Sequence, residues 1–453
     1  MSLYGLLEKR RAINRPVRIG VIGAGTFSSA FLNQARRVVG MQVVSVADLD
    51  AEKAKRACIA AGWPGEAVDI VSSSLSINDG AARGKVMVTD NVDHLIKADL
   101  EVIVEATGVT EAGTYHAWTA LEAGKHVVMA NVETDALLGP ILKKKADEKR
   151  FVYSLAYGDQ PGIICEMVDW ARTIGLEVVC AGKGTRYQPE YRYSTPDTVW
   201  KYFGFTEEQI ATGNYNAQMY NSFLDSTKSS IEMCALSNAT GLIPQKCGLQ
   251  FPPIGPEGLP SVLKPQPEGG ILEHSGTVEI VASENRDGSH IKNHLRWGVY
   301  IVFKAGNDLV RRFLSMHDFL RDGSGEYGAV YRPFHLIGLE IGVSVASAVL
   351  RGEATGSADN FIADVASVAK KDLKQGEILD GEGGYSVFGR LVRADESLSH
   401  QYLPLGLSRG GRMIKPVTKD AIVTYHDVAL DETPLSFKLR KKLEKWKEDR
   451  RRS

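Results

Sequence analysis

The chain has 453 residues, with 43% hydrophobic and 24% charged residues and a formal net charge of −1. That length exceeds one ordinary core and points to two or three domains. The charge balance provides no whole-chain field for nucleic acid or an anionic membrane, so neither is expected as a partner. Five scattered cysteines without a CxxC pair, and an N-terminus without an apolar core and cleavage site, point to reduced thiols and a cytoplasmic location. The apolar stretch His335 to Leu350 is interrupted by Glu340 and is too short for a bilayer.

Residues 17–31 read VRIGVIGAGTFSSAF. Val17 to Ile22 form a buried strand pattern, Gly23-Ala24-Gly25 turns at once, and Ser28 to Arg37 continue as a helix. Gly23 permits the tight turn. Gly25 removes a Cβ where backbone must approach phosphates, and the helix N-terminus offers N–H groups to an anion. Thr26 and Phe27 complete this nucleotide-binding stretch. The third glycine of the fingerprint is replaced by Ser28. A second strand, Gln42 to Ala47, ends at Asp48, 23 positions after Gly25. An acid at that offset can grip a ribose hydroxyl.

Further strands are expected at 86–88, 101–105, 126–130 and 151–156, with helices between them, including Asp50 to Gly62 and Thr114 to Gly124. The alternation predicts a parallel sheet with helices on both faces. LEVIVEATG (100–108) reads as its central strand and following turn. This places Thr107 and Gly108 at the carboxyl edge, where a nicotinamide would sit. The fold class is therefore α/β, with a Rossmann domain over 1–155.

Residues 156–362 read as an α+β substrate domain. Its strands are expected at 176–180, 277–282 and 297–303, with an irregular surface excursion at 251–270. Gly182-Lys183-Gly184 follows the first of these. Lys183 can polarise a carbonyl, donate a proton or hold a phosphate; a surface lysine in a turn is the alternative. A helix is expected from Asn221 to Thr240. At roughly 100° per residue it puts Asp225, Lys228 and Glu232 between apolar positions on the inward side. Buried charges are costly unless paired or useful, which makes this face a candidate acid–base site. RDGSGEYGAVYRPFH (321–335) suggests a pliable glycine loop, with Pro333 opening a helix flanked by Arg332 and His335. Those two residues and the helix terminus would make a phosphate seat; a glycine hinge with a capping arginine is the alternative. No motif announces a metal site, although a divalent ion held by substrate and water would leave no such trace.

Residues 363–453 read as short strands and turns, a small all-β unit, closed by a basic helix from Lys438. That helix is expected to face solvent, with an acidic partner as the alternative.

VRIGVIGAGTFS (17–28), VIVEATG (102–108) and GKHVVMAN (124–131) resemble the homoserine dehydrogenase-like oxidoreductases. AKKDLKQGEILDGEG (369–383) with LPLGLSRGG (403–411) resembles a SAF-type β-clip domain. The pairing is similar to the deoxyxylulose-phosphate reductoisomerase-like (DRL) family. That resemblance implies a three-domain homodimer that converts 1-deoxy-D-xylulose 5-phosphate to 2-C-methyl-D-erythritol 4-phosphate with NADPH, in isoprenoid precursor synthesis. It implies cofactor contacts from Gly23, Gly25, Thr26, Phe27, Asp48, Thr107, Gly108 and Asn131. Lys183, Asp225, Lys228 and Glu232 would perform the chemistry, and Arg186, Arg332 and His335 would hold the substrate phosphate. Two departures stand out. Val132-Glu133 follows Asn131 where homoserine dehydrogenases carry a lysine, which argues against homoserine. Asp48 favours a free ribose and hence NAD, so a 2′-phosphate would require Lys53 or Arg56 to compensate. A dehydrogenase of another small polyol, hydroxy acid or phosphosugar, and a non-catalytic dinucleotide sensor, remain the alternatives.

Overall fold

The computed structural model describes residues 2–212 and 215–452. The chain divides into two units, Met1–Ile163 with Leu336–Asp359, and Ile164–His335 with Asn360–Ser453. The middle and C-terminal regions of the sequence thus share the second unit, and a short segment returns to the first.

The first unit is built on seven strands: β1 (Val17–Ile22), β2 (Met41–Ala47), β3 (Val68–Ile70), β4 (Val86–Thr89), β5 (Val102–Glu105), β6 (His126–Met129) and β7 (Tyr153–Leu155). All pair in parallel, in the order β3-β4-β2-β1-β5-β6-β7. Every strand expected in this region is present. β3 was not expected, because three residues are too few to carry a period. The strand order reverses between β1 and β5, so the loops after them diverge and leave a crevice at their carboxyl ends. Val17, Ile19, Val21, Val104 and Phe31 are buried in the core, against Ile341 and Val345 of the returning helix Ile341–Arg351.

The second unit holds a mixed sheet of β8 (Glu177–Thr185), β9 (Thr277–Ala282), β10 (Val299–Lys304), β11 (Leu320–Arg321) and β12 (Tyr327–Arg332), in the order β11-β12-β10-β8-β9. β8 runs five residues beyond the expected Cys180, so Lys183 lies within the strand and not in a turn. Its glycines mark close approaches. A Cβ on Gly182 would run into the Glu279 carbonyl, and one on Gly184 into that of Leu295. The expected surface excursion at 251–270 is a correction of another kind. Phe251, Leu259 and Leu263 are buried, and Leu259 and Leu263 pack with Val281 and Tyr300. The prolines and glycines there shape short turns; the leucines one helical turn apart give the segment its inner face.

Two helix boundaries also differ. The expected helix 221–240 is two helices, Ala217–Leu224 and Thr227–Thr240. Between them Ser226 adopts φ +72°, a left-handed conformation that ends the first helix and redirects the second. No helix opens at Pro333. β12 continues through Arg332, and the next helix begins at Ile341. Arg332 and His335 therefore have no helix terminus beside them.

The C-terminal region adds the antiparallel pair β13 (Ala363–Ala369) and β14 (Val387–Arg393), and the two-residue pair β15 (Arg412–Met413) and β16 (Val428–Ala429). The final helix, Leu435–Arg452, is anchored rather than solvated all round. Leu439 and Leu443 are buried, and so is Arg440, whose Nη1 and Nη2 donate to Asp364 on β13 at 3.1 and 2.5 Å. Its Nε donates to Glu444 at 3.0 Å, and the Tyr425 hydroxyl donates to the same Glu444 oxygen at 2.9 Å. Among the described residues no helix is long and apolar enough to cross a membrane. Arg440→Ala strands the buried Asp364 carboxylate and should cost about 3–5 kcal/mol, read from the denaturant midpoint. A change below about 0.5 kcal/mol, the range of ordinary surface substitutions, would show that the helix is not held by this pair.

Candidate active site

The first unit provides a nucleotide cradle. Gly23 sits at φ +96°, and a Cβ there would press to 2.9 Å from the Ala106 carbonyl after β5. Gly25 caps helix Thr26–Ala35 without a side-chain hydrogen bond, and a Cβ on it meets nothing within 4 Å. The helix N-terminus is thus bare and open on the side a pyrophosphate would approach. Thr26 and Phe27 are its first two helical residues. The residues present fit a dinucleotide.

Asp48 stands at the end of β2, but its carboxylate is engaged. Oδ2 accepts from the Ala24 amide at 2.7 Å and from Lys53 Nζ at 3.3 Å, and Oδ1 accepts from the Asp50 amide at 3.1 Å. It ties the glycine turn to β2 and is balanced by the exposed Lys53. Arg56 lies one residue short of a turn further along the same helix, near Asp50 at 3.5 Å.

The loop after β5 is organised by a residue the sequence reading missed. Glu105 is fully buried at the end of that strand. Its Oε1 accepts from the Thr107 hydroxyl at 2.5 Å and amide at 3.3 Å, and lies 3.1 Å from His116 Nδ1. Asn131 Nδ2 donates to the Thr107 hydroxyl at 3.3 Å and the Val109 carbonyl at 3.1 Å, while its Oδ1 caps helix Val132–Lys149 at the Thr134 amide. Glu105 and Asn131 together fix the loop carrying Thr107 and Gly108. The available signal was an acid ending an otherwise apolar strand.

The second unit gathers cations by sheet register. Val299 of β10 pairs with Lys183 of β8 on one side and with Arg332 of β12 on the other. Directly opposite residues share a face, so Lys183 and Arg332 project from the same face two strands apart, about 10 Å. Lys183 is buried and forms an ion pair with Glu232 on helix Thr227–Thr240. Lys228 is half-buried one turn before Glu232 on the same helix, hence on the same face. Three of the four residues expected to perform the chemistry therefore converge here.

Asp225 does not join them. It precedes the helix, is fully buried, and pairs with Lys370 Nζ at 2.7 Å. Lys370 also donates to the Ser194 and Gly384 carbonyls at 2.8 and 2.7 Å. Burial holds the Asp225 carboxyl above its ordinary range, opposed by Lys370. This is an interior knot with its donors consumed by protein.

Arg186 extends just beyond β8. Its Nε lies 2.7 Å from Glu284, its guanidinium also donates to the Tyr202 carbonyl, and Tyr191 OH donates to Glu284 at 3.2 Å. Arg296 belongs to the same group: desolvation, and then Arg186, push its guanidinium below its ordinary value. His335 Nδ1 donates to the Trp297 carbonyl at 2.7 Å, and Arg332 lies over the Phe334 ring at 4.7 Å. Arg186, Arg332 and His335 thus stand at one end of the sheet without any helix dipole. Glu284 and Arg296 were not foreseen, because loop residues give no periodic signal. Among the described residues, no group of three or more His, Cys, Asp or Glu side chains is placed to hold a metal.

Residues 158–341 match the model of the oxidoreductase DRL catalytic domain, and residues 19–153 match that of the homoserine dehydrogenase NAD binding domain. The chain thus joins a region similar to an oxidoreductase DRL catalytic domain to a region similar to a homoserine dehydrogenase NAD binding domain, which supports an NAD(P)-dependent oxidoreductase. No curated protein matches it at a significant level. Among solved structures it is similar to the 1-deoxy-D-xylulose 5-phosphate reductoisomerase from Zymomonas mobilis in complex with NADPH, at 16% identity over 49% of this chain and 57% of that one, with a TM-score of 0.33. It is also similar to a myo-inositol dehydrogenase from Corynebacterium glutamicum, at 14% identity over 41% of this chain and 48% of that one, with a TM-score of 0.28. A levoglucosan dehydrogenase in complex with NADH gives 14% identity, coverages of 40% and 47%, and a TM-score of 0.27. The chain spans about half the length of these solved chains.

Glu105 supplies a direct test of the cradle. Glu105→Ala removes the acceptor that positions Thr107, and cofactor affinity should fall by about tenfold, the equivalent of one to two lost hydrogen bonds. Fluorescence titration with the reduced dinucleotide reads this. Unchanged affinity in a folded variant would show that the loop does not contact the cofactor.

Proposed function

We propose that the chain is an NADPH-dependent reductoisomerase converting 1-deoxy-D-xylulose 5-phosphate to 2-C-methyl-D-erythritol 4-phosphate, with isoprenoid precursors as the destination. The observation carrying this reading is the row Lys183–Val299–Arg332, with Arg186 and His335 at the same sheet end and Glu232 paired to Lys183. It combines cations for a small phosphorylated substrate with an acid–base pair on a helix.

The carbon skeleton must break C3–C4, form C2–C4, and move a proton from a hydroxyl to the ketone oxygen. Whether the migration is concerted or passes through an enediolate, negative charge develops on that oxygen. Lys183 and Lys228 stabilise it, and Glu232 accepts the hydroxyl proton and returns it to the oxyanion. Arg186, Arg332 and His335 hold the phosphate and so fix the chain of carbons. Bound NADPH would supply the hydride that reduces the resulting aldehyde. A lysine ammonium then gives the alkoxide its proton.

NADPH is favoured over NADH because Asp48 is turned onto the Ala24 amide and away from a ribose hydroxyl, and a 2′-phosphate would draw Lys53 and Arg56 from their pairs with Asp48 and Asp50. Gly23, Gly25, Thr26, Phe27, Thr107, Gly108 and Asn131 would line or shape the remainder of the dinucleotide site. The C-terminal β segment is read as SAF-type, and the working form as a homodimer.

Purified protein is incubated with 1-deoxy-D-xylulose 5-phosphate and NADPH, with and without Mg²⁺ or Mn²⁺, and the product is read by carbon NMR. A branched 2-C-methyl tetritol phosphate is expected. A straight-chain alcohol, or no consumption of this sugar alongside turnover of another polyol, overturns the reading in favour of a simple dehydrogenase. Lys228→Ala should lower kcat by about 10²–10³-fold if it stabilises the oxyanion. A near-wild-type variant would remove that role.

A further inference from the structure

At the end of β12 away from Arg332, helix Asp308–Ser315 and the turn between β11 and β12 line an open cavity of about 500 Å³. That volume is in the range of small-ligand sites. Arg311, Arg312 and Ser315 face it from the helix, and Arg321, Ser324 and Gly325 from the turn. Asp308, Arg311, Arg312 and Ser315 follow the i, i+3, i+4, i+7 spacing, so one face of the helix forms that wall. β12 runs from Tyr327 at this end to Arg332 at the other, about 17 Å at strand rise. The cavity is therefore separate from the cations gathered around Lys183.

The charges around it do not balance. Asp308 is paired with Arg311 on its own helix. Asp322 is buried and turned inward: its Oδ2 accepts from Lys264 Nζ at 2.9 Å, and both its oxygens accept from the Ser324 hydroxyl. Glu326 is paired with Lys304 at 3.2 Å. Among the described residues, Arg312 and Arg321 have no carboxylate partner, and both are exposed. One exposed arginine needs no explanation. Two from different elements, beside a third and lining one concavity, repel each other until an anion enters.

The walls indicate which anion. A guanidinium offers a planar fork that matches phosphate oxygens two at a time. Arg312 and Arg321 stand on opposite walls, so the ligand has to present an anionic group to each. Two linked phosphates do so; a single small anion held at an exposed site is weakened by salt. The lining residues carry no apolar side chain, so recognition there is by charge and hydrogen bonding. We propose that this cavity is a second anion site, in which Arg312 and Arg321 hold a diphosphate group, either free or at the end of a nucleotide. It does not rest on the catalytic reading.

Calorimetric titration of the full chain with pyrophosphate, at physiological ionic strength and with saturating NADP⁺ to fill the dinucleotide cradle, tests this. Wild type should bind, and Arg312→Ala and Arg321→Ala should each weaken binding at least tenfold. Asp308→Asn removes the acid of the helix wall and should strengthen binding about threefold. All three residues are exposed, so circular dichroism and NADP⁺ affinity should be those of wild type. ADP binding with the same dependence on both arginines identifies a nucleotide as the source of the diphosphate; binding of pyrophosphate alone identifies the free ion. No pyrophosphate binding by wild type, full binding by either alanine variant, or equal competition by sulfate at the same ionic strength would overturn the proposal.

Discussion

The ion pair between Lys183 and Glu232 fastens an inner strand of the mixed sheet to helix Thr227–Thr240, and the reading of the second unit depends on it. Both side chains are almost fully buried. Withdrawing two charges from water costs several kcal/mol per ion, and their mutual attraction seldom returns more than that. A pair of leucines would pack there at less expense. What the pair provides is a lysine held in one place inside a strand, with a carboxylate in contact with it. The strand tolerates this because Gly182 and Gly184 flank the lysine and let neighbouring backbone come close on either side.

Two other buried pairs show what a purely structural arrangement looks like. Lys370 is enclosed by Asp225 and two backbone carbonyls, and Arg440 by Asp364 and Glu444. Each lies where separate segments of the chain must be fastened together. Lys183 differs in its neighbours. Lys228 is one helical turn from its partner carboxylate, and Arg332 is on the same sheet face. Lys183, Lys228 and Arg332 therefore bring positive charge to one face of the sheet. It is suited to an anionic ligand whose charge increases during reaction.

The parts legible in the sequence were those encoded locally. Strand β1, the glycine turn, the helix after it and Asp48 all lie within about thirty residues, and each step constrains the next. Lys183 was visible because a lysine between two glycines is an odd choice. Its companions were not assembled by the sequence, because Lys183, Val299 and Arg332 become neighbours only through strand register. The helix break at Ser226 was hidden because a serine seldom takes a left-handed conformation, and Asp225 before it pairs with Lys370 instead of lying on the helix with Glu232. Arg440 was masked by the basic composition around it. Pro333 was misread since proline opens helices and also follows strands. At Asp48 the position was legible and its engagement with Ala24 and Lys53 was not.

Calorimetric titration of 1-deoxy-D-xylulose 5-phosphate, with NADP⁺ present, into wild type and Lys183→Met tests the central claim most directly. Methionine keeps the length of the side chain and deletes its charge. The account predicts that sugar phosphate affinity falls at least tenfold in the variant, while NADP⁺ affinity measured alone is unchanged. Equal sugar phosphate affinity in the two proteins would contradict it.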